Sequence, residues 1–369
     1  MIDFGYSIYL LTYIIGIIYL VVLGCVMLFS RPQAIYTRGE FEIKQRMTRS
    51  VGAFLMVSAF ECLIYLPFML AGFDNFHWVY GFCFLVTLML NTSMVFVVMR
   101  VLAQKKMDLL RPALAFAFPY LLLIVWYALI PKDGDHLLPL YLGGALCVIS
   151  IIIIMASHVS GYRDYVRRMR SEYSETSCRN ILWSWHCFGG FALQCIIFVI
   201  YQWNWSQTLE TIYTVLTFFN VTYLCYCTYH QKPLDIDVVE EEPSESETEK
   251  KSEDKAFYAI IEQRLESLCE GNLLFLEPDL TRESLCLRLN IGRTYLGMYF
   301  RSRGLTFYQY INTLRVEYAI KLMQKNPEMP IREVSELSGF RSQTTFRKVF
   351  KEVMGCLPSD IRNGKLESN

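Results

Sequence analysis

The sequence predicts an all-α protein: a bundle of seven transmembrane helices, an acidic linker and a double helix-turn-helix domain. Three observations support this fold class. Apolar segments fill the first 230 residues, a strongly acidic stretch follows, and the last quarter repeats one pattern of short helix, turn and second helix. The predicted parts are residues 1–230 (transmembrane domain), 231–255 (linker), 256–363 (helix-turn-helix domain) and 364–369 (tail).

The composition favours a membrane protein, because 53% hydrophobic and 15% aromatic residues are too many for an ordinary soluble chain of 369 residues. The net charge of zero hides a segregation of charge. Residues 1–234 have 16 basic and 12 acidic residues (net +4), residues 235–254 have 2 and 10 (net −8), and residues 255–369 have 17 and 13 (net +4). The 12 cysteines show neither a disulfide framework nor zinc-ligand spacing, so no metal or cofactor is expected.

Seven apolar segments come near the length of about 20 residues that a bilayer core requires. They lie at roughly 6–29, 51–72, 79–101, 113–130, 140–159, 181–201 and 211–229. Val22-Leu23-Gly24-Cys25 is similar to a lipoprotein cleavage box, but no basic residue precedes the first apolar segment, which favours a retained helix.

The connecting loops predict the orientation of these helices. Basic residues concentrate in the loops near 30–50, 102–112 and 160–180, whereas loops 73–78 and 202–210 have none. Because basic loops remain in the cytoplasm, we expect a multi-pass protein of the bacterial inner membrane, with its N-terminus outside and its C-terminal domain in the cytoplasm.

Polar side chains are predicted near the bilayer midplane on the second, third, sixth and seventh helices. They are Glu61, Asn91, Gln194 and Asn220. An ionisable group at this depth is costly and marks a functional site by default. These residues therefore either line a cavity that binds a small molecule or a proton, or they form hydrogen bonds between helices, with Glu61 protonated and paired.

The linker is rich in Glu and Ser and poor in apolar residues, so it is expected to be a disordered, extended tether. A protease site that releases the C-terminal domain is the alternative.

The last quarter of the chain contains the repeated pattern. The first copy has Leu285-Cys286, Asn290-Ile291, Leu296 and Phe300-Arg301, and the second has Val334-Ser335, Gly339-Phe340, Phe346 and Phe350-Lys351. The pattern predicts a helix at 282–289 capped by Thr281, recognition helices at about 293–302 and 342–353, and a long helix over 306–325 between them. Residues 256–276 are predicted to form one amphipathic helix before the first copy. Asn290 and Gly339 are expected to take the left-handed backbone of a sharp turn.

Each predicted recognition helix has an apolar face toward the core and an opposite face available to DNA. The first opposite face contains Arg293, Thr294, Gly297, Met298 and Arg301, and the second contains Ser342, Gln343, Thr344, Arg347, Lys348 and Lys351. Gln suits adenine and Arg or Lys suits guanine, while the other basic residues suit phosphates.

Residues 257–362 resemble the DNA-binding domain of AraC/XylS transcription regulators. The positions that show the resemblance are Leu280, Leu285-Cys286, Tyr295-Leu296, Phe300-Arg301, Gly304, Tyr310-Ile311-Asn312, Arg315, Ala319, Ile331, Val334, Gly339-Phe340-Arg341-Ser342, Phe346, Phe350-Lys351, Gly355, Pro358 and Arg362. The resemblance implies that both recognition helices enter successive major-groove segments on one face of DNA. It also places base contacts at Thr294, Gly297 and Met298 and at Gln343, Thr344 and Lys348. Gly297 and Met298 offer no hydrogen-bonding side chain, so the second helix is expected to choose most bases.

These patterns favour a membrane-anchored transcription regulator, and not an enzyme, that couples a signal in or across the membrane to promoter binding. The expected partners are double-stranded promoter DNA and membrane lipid. Two further partners are possible, a small-molecule ligand in the membrane domain and a second copy of the chain in a homodimer. No dimer motif is visible in the sequence. The alternative is a membrane receptor or transport component whose cytosolic tail acts by protein contact. A membrane enzyme is a third possibility, for which the chain offers no catalytic motif.

Overall fold

The structure is a computed structural model that describes residues 4–31, 38–71, 77–104, 110–131, 136–176, 180–203, 207–234, 258–267 and 273–362. Throughout these ranges the ordered elements are helices, and the one β-type pairing is an isolated bridge between Tyr173 and Thr281. The all-α prediction is confirmed for this part of the chain. The acidic stretch 235–254 and the tail 364–369 lie outside the described residues.

The chain divides into two compact units. The N-terminal unit comprises Met1–Tyr165 and Ile181–Asp235, and the C-terminal unit comprises Val166–Asn180 and Ile236–Asn369. The C-terminal unit is therefore built from two separate pieces of sequence.

Seven long helices occupy the predicted apolar segments of the N-terminal part. They are α1 (Phe4–Phe29), α2 (Arg38–Ala71), α3 (His77–Leu102), α4 (Leu110–Leu129), α5 (Leu137–Glu172), α6 (Trp183–Trp203) and α7 (Gln207–His230). Within the described residues, five of these helices contain stretches long and apolar enough to cross a membrane: Leu10–Phe29, Gly39–Pro67, Val79–Leu102, Leu137–Glu172 and Trp183–Ile200. A shorter apolar stretch, Ala113–Leu129, lies in α4.

Two of the helices extend far beyond their apolar segments. α2 begins at Arg38 and α5 continues to Glu172. The prediction of loops at 30–50 and 160–180 is therefore wrong for the basic residues from Lys44 to Arg49 and from Arg163 to Arg170, which are helical. Glu, Lys, Gln, Arg and Met favour helix, so the backbone hydrogen bonding continues past the last apolar turn.

The N-terminal unit has a core of packed apolar side chains from α1, α2, α3, α5, α6 and α7. One buried cation joins two of these helices, because the Lys44 Nζ donates to the carbonyls of Thr228, Tyr229 and Gln231 at 2.6, 2.7 and 2.6 Å. Thr228 and Tyr229 belong to the last turn of α7, and Gln231 follows directly after it. The C-terminus of a helix leaves acceptors without intrahelical partners and favours positive charge.

The C-terminal unit contains α8 (residues 258–267), a 3-10 turn (Leu274–Leu276) and six further helices. These are α9 (Arg282–Leu289), α10 (Arg293–Ser302), α11 (Phe307–Lys325), α12 (Ile331–Leu337), α13 (Gln343–Met354) and α14 (Pro358–Arg362). The prediction of one helix over 256–276 is wrong at its end, because Leu273 takes a left-handed backbone with φ 47° just before the 3-10 turn. Ile261 and Leu265 of α8 are buried, whereas Ile260 is exposed.

Two apolar cores organise the helices of this unit. One contains Leu296 and Phe300 of α10, and the other contains Phe346 and Phe350 of α13. These four side chains are at most 3% exposed, so the predicted inward faces of both recognition helices are confirmed. Helix α11 contributes to both cores and links the two halves.

Candidate nucleic-acid interface

The first helix-turn-helix consists of α9, a turn at Asn290 and α10. Thr281 caps α9 in a reciprocal arrangement, since its hydroxyl accepts from the Ser284 amide at 3.1 Å and its amide donates to the Ser284 hydroxyl at 3.2 Å. Asn290 has φ 52° and ψ 49°, the left-handed conformation that the turn requires. The predicted cap, turn residue and helix bounds are all confirmed.

The second helix-turn-helix consists of α12, a turn at Gly339 and α13. Gly339 has φ 79°, and a Cβ atom on it would lie 2.6 Å from the carbonyl oxygen of Leu276. The turn therefore needs glycine for its backbone angle and for its close approach to the 3-10 turn. Ser342 caps α13 by accepting from the Thr345 amide at 3.1 Å.

The outer face of α10 is mostly covered by its neighbours. Gly297 is buried, and the Arg282 Nη1 lies 3.0 Å from the position of a Cβ on it. Arg293 pairs with Glu283 at 3.4 Å. Thr294 and Met298 are half-buried, and Arg301 is exposed. Of the five residues predicted on this face, Arg301 is thus the one fully exposed side chain.

The outer face of α13 is open and basic. Thr344, Arg347, Lys348 and Lys351 are exposed, and Gln343 is half-buried. Ser342 is also exposed, but its hydroxyl is already used as the helix cap. The structure therefore brings the predicted residues of the second face together on one solvent-facing surface. Their contacts with DNA stay a prediction.

Arg315 of α11 lies fully buried between the two helix-turn-helix units. Its Nε donates to the Phe275 carbonyl at 2.7 Å, and its Nη2 donates to the Glu277 carbonyl at 2.6 Å. Its guanidinium also lies 5.7 Å from the ring centre of Phe340, in the turn of the second unit. Burial lowers the pKa of Arg315 to about 10, so the side chain is still charged at neutral pH.

A short segment from the end of α5, Arg170–Glu175, packs against the same region. The side-chain amide of Asn312 donates to the Ser174 carbonyl at 3.0 Å, and the Arg315 Nη2 donates to the Ser174 hydroxyl at 3.2 Å. The sequence pattern predicted a loop of the membrane domain at this segment and gave no indication of its contacts. Partners 138 and 141 residues apart in the chain leave no local pattern that could reveal them.

The four polar residues predicted at the membrane midplane form hydrogen bonds between helices. Asn91 donates to the Glu61 carboxylate at 2.7 Å, and Gln194 donates to the Thr217 hydroxyl at 3.3 Å. Asn220 donates to the carbonyl of Cys187 at 3.5 Å. These bonds join α2 to α3 and α6 to α7.

Two helix-turn-helix units on a shared linking helix define a DNA-binding domain. Residues 285–364 match the protein-family model described as "Helix-turn-helix domain", and the domain is of the AraC type. No solved structure gives a significant match to the chain.

Curated relatives resemble part of the chain. The "TCP pilus virulence regulatory protein" of Vibrio cholerae serotype O1 is 36% identical over 116 residues, covering 28% of this chain and 42% of the relative. The "Msm operon regulatory protein" of Streptococcus mutans serotype c is 29% identical over 126 residues, covering 34% of this chain and 42% of the relative. The chain thus spans less than half of the length of these relatives, both of which are named as regulatory proteins.

Proposed function

We propose that this chain is a membrane-anchored transcription regulator that couples a signal in or across the membrane to promoter binding. The observation that carries the proposal is an AraC-type double helix-turn-helix domain, with an open basic face on α13, in one chain with α1–α7. The family model that matches residues 285–364 supports the DNA-binding part, and the relatives that the chain resembles are named as regulatory proteins.

Membrane anchoring is supported by the surface of the N-terminal unit. Large apolar side chains face outward on several helices, among them Leu122 (57% exposed), Ile152 (56%) and Phe219 (72%). So many exposed large apolar side chains are unfavourable in water and suit lipid. We propose seven crossings in the bacterial inner membrane, with the N-terminus outside and the DNA-binding domain in the cytoplasm, as the distribution of basic residues indicates.

The two recognition helices are proposed to contribute unequally to DNA binding. Gln343 and Lys348 on α13 have the hydrogen-bonding groups that read adenine and guanine in the major groove. On α10, Gly297 is buried beneath Arg282, so this helix is left with shape and phosphate contacts. Base selection therefore belongs mainly to the second helix-turn-helix.

The signal is proposed to act by shifting an equilibrium between two arrangements of the membrane helices. Glu61 and Asn91 on α2 and α3 are proposed to sense a small molecule or a proton. Gln194 and Asn220 are proposed to take part in the same sensing on α6 and α7. Their hydrogen bonds equally serve to hold the helices together. A homodimer on promoter DNA is compatible with this scheme.

The test is to map DNA occupancy in living cells for the full chain and for a variant with Lys348 and Lys351 changed to Ala. We expect discrete promoter sites for the wild type and loss of them in the variant. A matched variant with Lys321 and Lys325 of α11 changed to Ala controls for lost positive charge. An absence of enriched sites with the wild type, in cells that contain the protein in their membrane fraction, would favour a tail that acts by protein contact.

A further inference from the structure

The end of α5 is buried to an extent unusual for the connection between two helices. Glu172, Tyr173, Ser174 and Glu175 are 4%, 9%, 2% and 5% exposed. Connecting segments normally run over the surface, because their polar groups need water. Two carboxylates and a hydroxyl in this segment are instead buried, and the segment belongs to the C-terminal unit.

The C-terminal unit supplies polar partners for this segment from two places, the residues just before α9 and the helix α11. The Ser174 hydroxyl donates to the Leu280 carbonyl at 2.7 Å, and the Ser174 amide donates to the same carbonyl at 3.3 Å. Tyr173 forms an antiparallel bridge with Thr281, the cap of α9. Asn312 and Arg315 complete the arrangement from α11. Buried polar groups require partners, so this region is complementary to the segment.

The segment also reaches the second helix-turn-helix. The Arg170 guanidinium lies 5.3 Å from the ring centre of Tyr308, and its Nη1 lies 3.6 Å from the Glu352 carboxylate on α13. A single short segment therefore contacts elements of both DNA-binding halves.

Glu172 forms the contact with the clearest consequence for DNA binding. It forms an ion pair with Arg282, the first residue of α9, and the two side chains are only 5% and 14% exposed. Burial lowers the pKa of Arg282, while the neighbouring Glu172 carboxylate opposes that shift. The Arg282 Nε has no hydrogen-bond partner among the described residues, so the guanidinium is incompletely satisfied where it lies.

Arg282 is well placed for a phosphate contact. It lies against Gly297 on the outer face of α10, the face proposed to contact DNA. In helix-turn-helix proteins the first helix of the pair crosses the DNA backbone. Arginine pairs strongly with phosphate, but a carboxylate already bound to it both occupies its donors and repels the phosphate.

We propose that Arg170–Glu175 is an intramolecular partner of the DNA-binding domain, and that its Glu172 withholds Arg282 from DNA phosphate while the segment is in place. The inference rests on the proposed function and adds a route of regulation to it. The segment continues α5, whose preceding residues Leu137–Tyr165 belong to the N-terminal unit. Displacement of the end of α5 frees Arg282 and strengthens the contact of the first helix-turn-helix with DNA.

The test measures binding of the full chain, held in nanodiscs of uncharged lipid, to a fluorescent 30-base-pair duplex of mixed sequence over a series of salt concentrations. Each phosphate contact adds about 0.9 to the slope of log K against log salt concentration. Glu172→Gln is expected to steepen the slope by about 0.9 and to tighten binding several-fold at low salt. Arg282→Gln alone is expected to leave the slope unchanged, and the double variant is expected to return to the wild-type slope.

Two controls separate this effect from general changes of charge or fold. Glu317→Gln removes one negative charge from an exposed position on α11 and is expected to leave the slope unchanged. Arg282→Lys combined with Glu172→Gln keeps the cation and is expected to retain the steeper slope.

The results that overturn the inference are distinct from those that overturn the proposed function. A shallower slope for Arg282→Gln alone would mean that Arg282 already contacts phosphate beside Glu172. A wild-type slope for Glu172→Gln would likewise exclude the withheld contact. Either result leaves DNA binding itself intact. Absence of binding by every form at low salt would overturn the proposed function and the inference with it.

Discussion

Single side chains on α13 are the place to test the proposed choice of bases. Lys348 is exposed on the open basic face, at a position where a direct contact with guanine is proposed. We expect Lys348→Ala to cost about 1–3 kcal/mol of specific binding and to relax the preference at one base pair. Footprinting of a promoter found by the occupancy map, together with its single-base variants, measures both effects.

Lys321→Ala is the matched control for that experiment, because it removes the same charge from an exposed position on α11. It is expected to change neither the footprint nor the base preference. A footprint that survives Lys348→Ala but disappears with Met298→Ala would reverse the proposed ranking of the two recognition helices.

Arg315 gives a second prediction at the scale of one residue. Its guanidinium donates to the carbonyls of Phe275 and Glu277 and to the Ser174 hydroxyl. The single ammonium group of lysine cannot replace all three hydrogen bonds. We expect Arg315→Lys to destabilise the C-terminal unit by about 3 kcal/mol, since buried carbonyls lose their donors. The measurement is the urea concentration at which residues 273–362 of the full chain become sensitive to protease. Arg332→Lys, at an exposed pair with Glu336, should leave this concentration unchanged.

Turns between helices are the elements on which the double helix-turn-helix depends. Gly339 and Gly304 have φ of 79° and 67°, and both would be strained by a side chain. Only Gly339 also faces another backbone, with Leu276 2.6 Å from the added Cβ, whereas nothing lies within 4 Å at Gly304. We expect Gly304→Ala to cost about 1 kcal/mol and Gly339→Ala roughly 3 kcal/mol or more in the same urea and protease assay. Equal costs would show that the approach to Leu276 does not matter.

The contact between α2 and α3 allows the sensing role of Glu61 to be separated from a structural role. A glutamine at position 61 can still accept the hydrogen bond of Asn91 but cannot gain or lose a proton. We expect Glu61→Gln to accumulate in the membrane as the wild type does, and Glu61→Leu to accumulate less, because Asn91 loses its acceptor. Immunoblots of the membrane fraction measure accumulation, and reporter output measures signalling. If Glu61→Gln leaves the signal response unchanged, Glu61 has no sensing role.

Elements with a local cause could be predicted from the sequence. Thr281 and Ser284 determine where α9 begins, and Asn290 determines where it ends, because caps and left-handed turns depend on neighbouring residues. The long extension of α5 past its apolar segment was missed because its residues are polar and the apolar pattern that marked the helix had ended. Hydropathy locates lipid-compatible segments, whereas helix propensity decides where the helix stops.

On the scale of the whole molecule, the important missed feature is the composition of the C-terminal unit. The predicted domain 256–363 is continuous in sequence, but the observed unit also includes Val166–Asn180. Ser174 gives no sign in the sequence that it contacts Leu280, Asn312 and Arg315, because such contacts arise only once the chain has folded. Leu280, Asn312 and Arg315, which bind Ser174, are by contrast among the positions that show the family resemblance. The resemblance did not indicate Ser174 as their partner.

This composition predicts how the DNA-binding domain behaves when it is cut from the chain. A fragment of residues 256–363 lacks Ser174, so the Leu280 carbonyl, Asn312 and Arg315 each lose a partner. We expect the fragment to be less stable than the same domain with a peptide of residues 166–180 added. Since a ligand that binds only the folded state stabilises it, peptide at 100 times its Kd should add about 2.7 kcal/mol and raise the thermal midpoint by several degrees.

The same peptide with Ser174→Ala is the matched control, because it removes the hydroxyl that bonds to Leu280 and Arg315 but keeps the charges of the segment. It is expected to bind more weakly by a factor of about 10, the effect of roughly 1.4 kcal/mol, in a calorimetric titration. A fragment that is equally stable with and without the unaltered peptide would show that the domain is complete by itself. In that case Val166–Asn180 would contact the domain without stabilising it, and displacement of α5 would not affect DNA binding through Ser174.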